Sequence, residues 1–145
     1  MTTAQGIIDD ILSRLRSMGQ FAEVHFGSNQ VSGSLPRANV ELLGEQSRQA
    51  DDDATTWRQL RLAVVISTAG HSQASALGRA MELCDQVRQA LRLDRFRGGR
   101  AVDLPWGMAT EFKGQTLDPS AKPPGCRLRL EMNCHFETSE KPDAT

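Results

Sequence analysis

The hydrophobic pattern changes its period within residues 57–93. Up to Ser67, apolar side chains occupy every second position, which is typical of a strand with one face against a core. These inward positions are Leu60, Leu62, Val64 and Ile66. From Ser72 the spacing becomes three or four residues, which predicts an amphipathic helix lying on the sheet. Its apolar side is predicted to hold Leu77, Met81, Cys84, Val87 and Leu91.

The same two patterns predict the other elements. A first helix is expected to begin at Thr2 or Thr3 and to end at Gly19. Strands are expected at residues 21–26, 38–43, 101–104, 108–112 and, with the clearest alternation, 126–137. Polar stretches without an apolar anchor are predicted to be loops, at residues 27–36, 45–56 and 113–125. The second of these is expected to be mobile.

This order of elements predicts an α+β fold with a single mixed, largely antiparallel sheet and two helices packed on one face. We expect one domain over residues 1–137, because 145 residues can bury a core without disulfides or metal, and a flexible tail over residues 138–145. The three cysteines lie on predicted inward faces and are interpreted as reduced core residues. They are Cys84, Cys126 and Cys134. The opposite sheet face is predicted to carry Arg58, Arg61, Arg127, Arg129, Glu131 and His135.

Composition argues against several classes of function. The net charge is −1 with 24% charged residues, so the chain lacks the basic excess that drives non-specific nucleic-acid binding. No run approaches the roughly 18 apolar residues of a membrane span. Asp9 and Asp10 stand where a signal peptide would be basic, which favours synthesis in the cytoplasm. Aromatic residues make up only 5%, which suggests that neighbouring subunits complete part of the burial.

Candidate catalytic chemistry is sparse. Asp51, Asp52 and Asp53 offer oxygen ligands to a hard cation, but no second acidic cluster accompanies them, which favours a solvated loop. Glu131 and His135 share a strand face, yet no second histidine stands at ligand spacing. We therefore predict no metal, no cofactor and no enzymatic activity. A small metal-dependent hydrolase or nuclease using the three aspartates and His135 is the alternative from another class.

Five segments of the chain carry a likeness to a known family. In order, they are IIDDILSRLRSM, LPRANVELLGE, WRQLRLAVVIST, ALGRAMELCDQVRQALRLD with the G-G-x-x-V-D that continues it, and CRLRLEMNCHFE. Together they resemble the tail terminator, or tail completion, proteins of long-tailed bacteriophages, including Mu-like and lambda-like phages. The likeness covers about residues 7–137, and it rests on element order and short phrases rather than on a catalytic signature.

The resemblance implies a structural virion protein. Such subunits form a hexameric ring that closes the head-proximal end of the tail tube, ends its polymerisation and joins it to the head. The implied location is the head–tail junction, and the implied partners are further copies of the chain, the tail tube protein, a head-completion or connector protein and the tail sheath. DNA could cross the ring without sequence-specific recognition. Another head–tail connector or neck subunit is the structural alternative, and a cellular adaptor domain is a third.

The family supplies no residue that can be transferred singly, so the interface is predicted from this chain alone. Loops that bury nothing in a monomer are expected to become ordered against ring neighbours and the tail tube. The acidic run is expected to face a basic partner surface. The candidate interface residues are Asp51, Asp52, Asp53, Trp57, Arg58, Arg61, Trp106, Arg127 and Arg129.

Overall fold

The structure is a computed structural model that describes residues 3–27, 34–49, 55–118 and 124–139. Within these ranges the order of elements is α1 (Ala4–Ser17), β1 (Glu23–Phe26), β2 (Arg37–Gln49), β3 (Thr55–Ala69), α2 (Gln73–Arg92), β4 (Thr110–Leu117) and β5 (Gly125–Ser139). The strands form one sheet in the order β1-β2-β3-β5-β4. Only β1 and β2 are parallel neighbours. The predicted α+β class with a mixed, largely antiparallel sheet is confirmed.

Both helices begin where polar side chains can cap them. The Thr3 hydroxyl accepts a hydrogen bond from the Gly6 amide at 3.0 Å. At α2, the Ser72 hydroxyl accepts from the Ser75 amide at 3.2 Å, and the Ser75 hydroxyl accepts from the Ser72 amide at 3.1 Å. These caps satisfy amide groups that a helix leaves unpaired in its first turn. The predicted starts of both helices are therefore confirmed.

The core lies between the two helices and one face of the sheet. Helix α1 buries Ile7, Ile8, Ile11, Leu12 and Leu15. The sheet contributes Leu60, Leu62, Val64, Ile66, Leu128, Leu130, Met132, Cys134 and Phe136. These are the inward positions predicted for the two longest strands. The three cysteines are free and buried, and burial raises the pKa of Cys134 to about 11, so this group stays a neutral thiol.

The buried side of α2 differs from the prediction at its N-terminal half. Cys84 is buried as expected, but Met81 is exposed and Leu77 is only partly buried. Their places against the core are taken by Ala76 and Ala80, which are fully buried. Small side chains let this half of the helix approach the sheet closely, so the larger neighbours point to the side of the helix. The sequence pattern predicted Leu77 and Met81 at these places, each one position after the alanine that is buried there.

The largest departure from the prediction concerns residues 45–56. Residues 45–49 continue β2 and residues 55–59 begin β3, and the two strands pair up to Gln49 and Thr56. Of this stretch, only residues 50–54 lie outside the described ranges. The predicted loop is therefore mostly a paired hairpin.

The bounds of other elements also differ from the predicted ones. Residues 113–117 belong to β4 rather than to a loop, and Thr138 and Ser139 extend β5 rather than begin a tail. The remaining tail residues, 140–145, lie outside the described ranges, as does the segment 28–33 of the first predicted loop. Residues 101–104 do not form the predicted strand, since only an isolated bridge joins Leu104 to Gly107. In the described part of the chain, no helix is long and apolar enough to cross a membrane.

Candidate functional site

The sheet face opposite the helices, called the outer face below, is largely polar. Strand alternation and register place there Arg37, Asn39, Glu41, Arg61, Ala63, Val65, Ser67, Arg127, Arg129, Glu131 and Asn133. In its centre Ala63 and Val65 are buried, although no described helix covers them. The Arg129 guanidinium donates to the Glu41 carboxylate at 2.8 Å, which joins β5 to β2 across β3. The side chains of this ion pair therefore lie over the apolar centre and shield it.

Three of the predicted interface arginines lie on this outer face. Arg129 is paired with Glu41, and Arg127 approaches Asp118 at 3.4 Å. Arg61 is exposed and has no carboxylate within 4 Å in the described part of the chain. Among the described residues, the outer face thus carries two ion pairs and, at Arg61, an exposed cation.

Two β-bulges lie at the same level of the sheet, one on each side of the β3–β5 pair. They interrupt β2 between Leu42 and Gly44 and β4 between Phe112 and Gly114. A shallow cavity of about 130 Å³ opens there on the outer face. Its lining residues include Leu43, Arg61, Lys113, Glu131 and Asn133. Bulges increase the local twist, so they divide the sheet into a part under the helices and a distal part formed by the hairpin and the end of β5.

The two tryptophans of the chain meet on the distal part of the outer face. Trp57 of β3 and Trp106 of the segment after α2 contact edge to face, with ring centroids 4.6 Å apart. The Arg48 guanidinium lies 4.6 Å from the centre of the Trp106 ring, and Trp57 Nε1 donates to the Glu137 carboxylate at 3.1 Å. We call Arg48, Trp57 and Trp106 the tryptophan cluster. It lines a cavity of about 380 Å³, and Trp106 remains 40% exposed.

Residues 102–109 position Trp106 by wrapping around the edge of β5. The Val102 amide donates to the His135 carbonyl at 2.8 Å, and the His135 amide donates to the Ala109 carbonyl at 2.9 Å. His135 Nδ1 lies 2.6 Å from the Met108 carbonyl, and Nε2 lies 3.3 Å from the Gln59 side-chain oxygen. His135 therefore lies on the predicted sheet face, where it is buried and holds this segment in place.

The fold recurs in a virion. A chain in the solved virion of a native gene transfer agent particle matches with a TM-score of 0.53 and 14% identity. The match covers 94% of this chain and 96% of that chain. No family model and no curated protein matches the sequence. At this level of identity the likeness shows the fold alone.

The remaining predicted interface residues are placed differently. Arg58 pairs in register with Phe136 and lies on the face of the helices, because side chains alternate along β3. It donates to the Glu45 carboxylate at 2.8 Å and to the Thr138 hydroxyl at 3.2 Å. Its predicted place on the opposite face was therefore wrong. The three aspartates at positions 51–53 lie outside the described residues.

Residues 3–27, 34–49, 55–118 and 124–139 hold no group of three His, Cys, Asp or Glu side chains arranged to bind a metal ion. Both ring nitrogens of His135 already lie within hydrogen-bond distance of protein oxygens. The acidic run at positions 51–53 lies outside these ranges, so the absence of a metal site there stays a prediction.

The Gly107→Ala variant is expected to disturb the tryptophan cluster. A Cβ atom at this position would lie 2.4 Å from His135 Cε1, well inside van der Waals contact, so either the ring or the segment must move. Overpacking of this kind costs about 1–3 kcal/mol of the free energy of unfolding. Urea denaturation followed by tryptophan fluorescence measures the loss of stability. The emission spectrum of the folded protein reports the change in the cluster, because the cluster holds both tryptophans.

Gly44→Ala is the matched control for this change. No atom lies within 4 Å of a Cβ built on Gly44, so its stability and emission spectrum should stay close to those of the wild type. A Gly107→Ala protein with the stability and emission of the wild type would show that the close approach to His135 does not position Trp106.

Proposed function

We propose that this protein is a structural virion subunit that forms a ring at the head-proximal end of a phage tail, ends the growth of the tail tube and joins the tail to the head. The observation that carries the proposal is the fold shared with a virion chain over 94% of this chain. The sequence resemblance to tail terminator proteins supports the same role. The proposed role is structural rather than enzymatic, and the proposed location is the head–tail junction.

The tryptophan cluster is proposed as the site that contacts the tail tube. Tryptophan and arginine are the residues most often found where interfaces gain most of their binding energy. Here they are the two tryptophans of a chain without tyrosine, and they lie together beside an open cavity. Because Trp57 and Trp106 already support each other edge to face, little side-chain order has to be gained on binding.

The ion pairs of the outer face are suited to the polar surroundings of such a contact. Arg129 with Glu41 and Arg127 with Asp118 are partly exposed pairs whose own contribution to stability is small. On a docking surface, preformed charges of both signs select a partner by complementarity and disfavour wrong partners. The proposed contact surface therefore has an aromatic centre at the tryptophan cluster and a charged rim across the outer face.

The test uses tail tubes polymerised from the tail tube protein of the same virion. Added protein is expected to form a ring at one end of each tube in electron micrographs and to stop elongation there. The Trp57→Ala, Trp106→Ala double variant should weaken capping on the order of tenfold or more. Phe96→Ala is the control, because Phe96 is also an exposed aromatic residue under an arginine, Arg95, but lies outside the cluster.

The outcomes separate the candidate roles. Tubes that grow without change at every protein concentration would refute the capping role. A ring that binds the head-completion protein but never the tube would favour another connector or neck subunit. Equal capping by the double variant and the wild type would remove the tryptophan cluster from the tube contact and leave the role of the protein intact.

A further inference from the structure

Trp106 lies at the tip of a tight turn that follows α2. The Leu104 amide donates to the Gly107 carbonyl at 2.8 Å, and the Gly107 amide donates to the Leu104 carbonyl at 3.2 Å. These two bonds keep the turn closed, but they join residues of the turn only to each other. The direction in which Trp106 points is therefore set by the groups that hold the two sides of the turn to the rest of the molecule.

Asp103 closes the base of this turn. Its Oδ1 atom accepts from the Ala109 amide at 2.8 Å, which joins the two sides of the turn. Its Oδ2 atom accepts from Arg95 Nη2 at 2.8 Å, just after α2. The Thr110 hydroxyl in turn donates to the Arg95 carbonyl at 2.6 Å. Both sides of the turn are thus tied to the end of α2.

Glu111 holds the amide group directly before that of Ala109. The Met108 amide donates to Glu111 Oε2 at 3.2 Å. The other carboxylate oxygen, Oε1, accepts from Lys113 Nζ in β4 at 2.6 Å. Glu111 also lies close to the turn itself, because a Cβ atom built on Gly107 would lie 3.0 Å from Oε2. This carboxylate therefore ties the turn to β4.

The two amide groups depend on these carboxylates. Within the described ranges, no backbone carbonyl accepts from the amides of Met108 and Ala109. Ala109 is fully buried, so its amide cannot turn to water when Asp103 is removed. The two ion pairs are partly exposed and contribute little to stability by themselves. The acceptor that each carboxylate offers to the backbone is therefore the part that matters.

Both groups are ionised at neutral pH. The hydrogen bond from Arg95 lowers the pKa of Asp103, and the bond from the Ala109 amide lowers it further. The hydrogen bond from Lys113 lowers the pKa of Glu111, although partial burial opposes this shift. An ionised carboxylate only accepts hydrogen bonds, and it has room for several. Each group can therefore hold a backbone amide and a basic side chain at the same time.

We infer that Asp103 and Glu111 are positioning residues for Trp106. By accepting from successive backbone amides they fix the turn between the end of α2 and β4, and this places the Trp106 ring against Trp57. A ring contact that exists before binding reduces the order that has to be gained on binding. For docking the inference rests on the proposed function, whereas its claim about the free protein is tested without it.

The first test measures the contact between Trp57 and Trp106 in the free protein. The alanine variant, Asp103→Ala with Glu111→Ala, removes both acceptors. Its near-ultraviolet circular dichroism is expected to change toward that of Trp106→Ala, and acrylamide should quench its tryptophan emission more strongly than that of the wild type. The amide variant, Asp103→Asn with Glu111→Gln, keeps an oxygen acceptor on each side chain and should retain the spectrum of the wild type.

The matched control is Asp9→Ala with Glu82→Ala, which makes the same change of charge on the two helices. Asp9 accepts from Gln5 of its own helix, and Glu82 lies 3.7 Å from Arg79 of its own helix. Its spectrum should match that of the wild type. A folded alanine variant with the wild-type spectrum would overturn the inference, and so would an amide variant as disturbed as the alanine variant. If the alanine variant does not fold, each single alanine substitution gives the same comparison.

The second test measures capping of tail tubes. The alanine variant should cap about two- to tenfold more weakly than the wild type, which is the cost of ordering one large side chain on binding. In a Trp106→Ala background the same two substitutions should leave capping unchanged, because the carboxylates act through that ring. An equal loss in both backgrounds would overturn the positioning role.

The two tests also separate this inference from the proposed function. Spectra that change as expected, in a protein that never caps tail tubes, would support the inference and refute the proposed function. Capping by the wild type, together with an alanine variant whose spectrum and capping do not change, would do the reverse.

Discussion

Replacing Leu130 by alanine is expected to lower the free energy of unfolding by about 2–5 kcal/mol, the range for a buried leucine whose removal leaves a cavity. Leu130 is fully buried on β5, in register with Val64 of β3 and Gln115 of β4. Both flanking strands and the helices on this face hold the neighbours of Leu130 in place. These neighbours can therefore fill little of the cavity that the alanine leaves. Urea denaturation followed by circular dichroism, at a concentration where the wild type is monomeric, gives the value.

The matched control is Leu93→Ala, because Leu93 is 87% exposed at the end of α2. Surface substitutions of this kind usually change stability by less than about 0.5 kcal/mol. A Leu130→Ala protein with the denaturation midpoint of Leu93→Ala would contradict the assignment of the inward face of β5.

The parts of the fold that were predictable are those in which one face of an element is apolar. The alternation around Leu62 and Leu130 sets the inward faces of β3 and β5, because a shift by one residue would turn every apolar side chain to the other face. The polar caps Thr3 and Ser72 fix the helix starts for a similarly local reason. Both signals are contained within a few neighbouring residues.

The distal hairpin was missed because its strands have no apolar face. Residues 45–49 and 55–59 reach past the helices, so the core makes almost no demand on their side chains, and polar residues pair as well as apolar ones there. What holds them is the backbone ladder of β2 and β3, continued by β5 on the other side of β3. A ladder of this kind has no hydrophobic period to detect.

The buried side of α2 was predicted wrongly for a different reason. The hydrophobic spacing favours the largest apolar residues as core residues, here Leu77 and Met81, whereas a helix that approaches a sheet closely requires small ones. Ala76 and Ala80 fill that place. The displaced Met81 is 47% exposed instead.

The candidate site was predictable only residue by residue. Trp57 and Trp106 were each predicted to be interface residues, but their contact depends on residues 102–109 wrapping around the edge of β5, which no local pattern reports. Gly107 is a local signal, since glycine is favoured where the backbone comes close to another group, as it does here. The partner in that approach, His135, lies 28 positions away.

A buried charge network joins α1 to the end of α2, and its centre is Arg97. This side chain is fully buried, and its Nη2 atom donates to the carbonyl groups of Leu91, in the last turn of α2, and of Asp94, just beyond the helix. Its Nη1 atom lies 3.4 Å from the Asp10 carboxylate, which also accepts from Arg14 Nε at 2.9 Å. Burial lowers the pKa of Arg97, which means that its charged form depends on these partners.

Replacing Asp10 by asparagine is expected to lower the free energy of unfolding by about 3–5 kcal/mol, because it removes the carboxylate that compensates a buried cation. Arg14 would keep Asp94 as a partner at 2.9 Å, whereas the buried Arg97 would lose the one carboxylate that lies within 4 Å of it among the described residues. The neighbouring Asp9→Asn is the control, because Asp9 is exposed and, among the described residues, accepts from Gln5 of the same helix. It should change stability by less than about 0.5 kcal/mol.

A second variant separates the charge effect from a simple loss of packing. Adding Arg97→Met to Asp10→Asn removes the uncompensated cation while keeping most of the apolar stem, so the double variant should be more stable than Asp10→Asn alone. Free energies of unfolding of the wild type, Asp10→Asn, Arg97→Met and the double variant give the coupling energy between the two residues. Equal losses for Asp9→Asn and Asp10→Asn would show that Arg97 does not need this carboxylate. A double variant less stable than Asp10→Asn would show that the bonds from Arg97 to the α2 carbonyl groups, rather than its ion pair, hold this end of the helix.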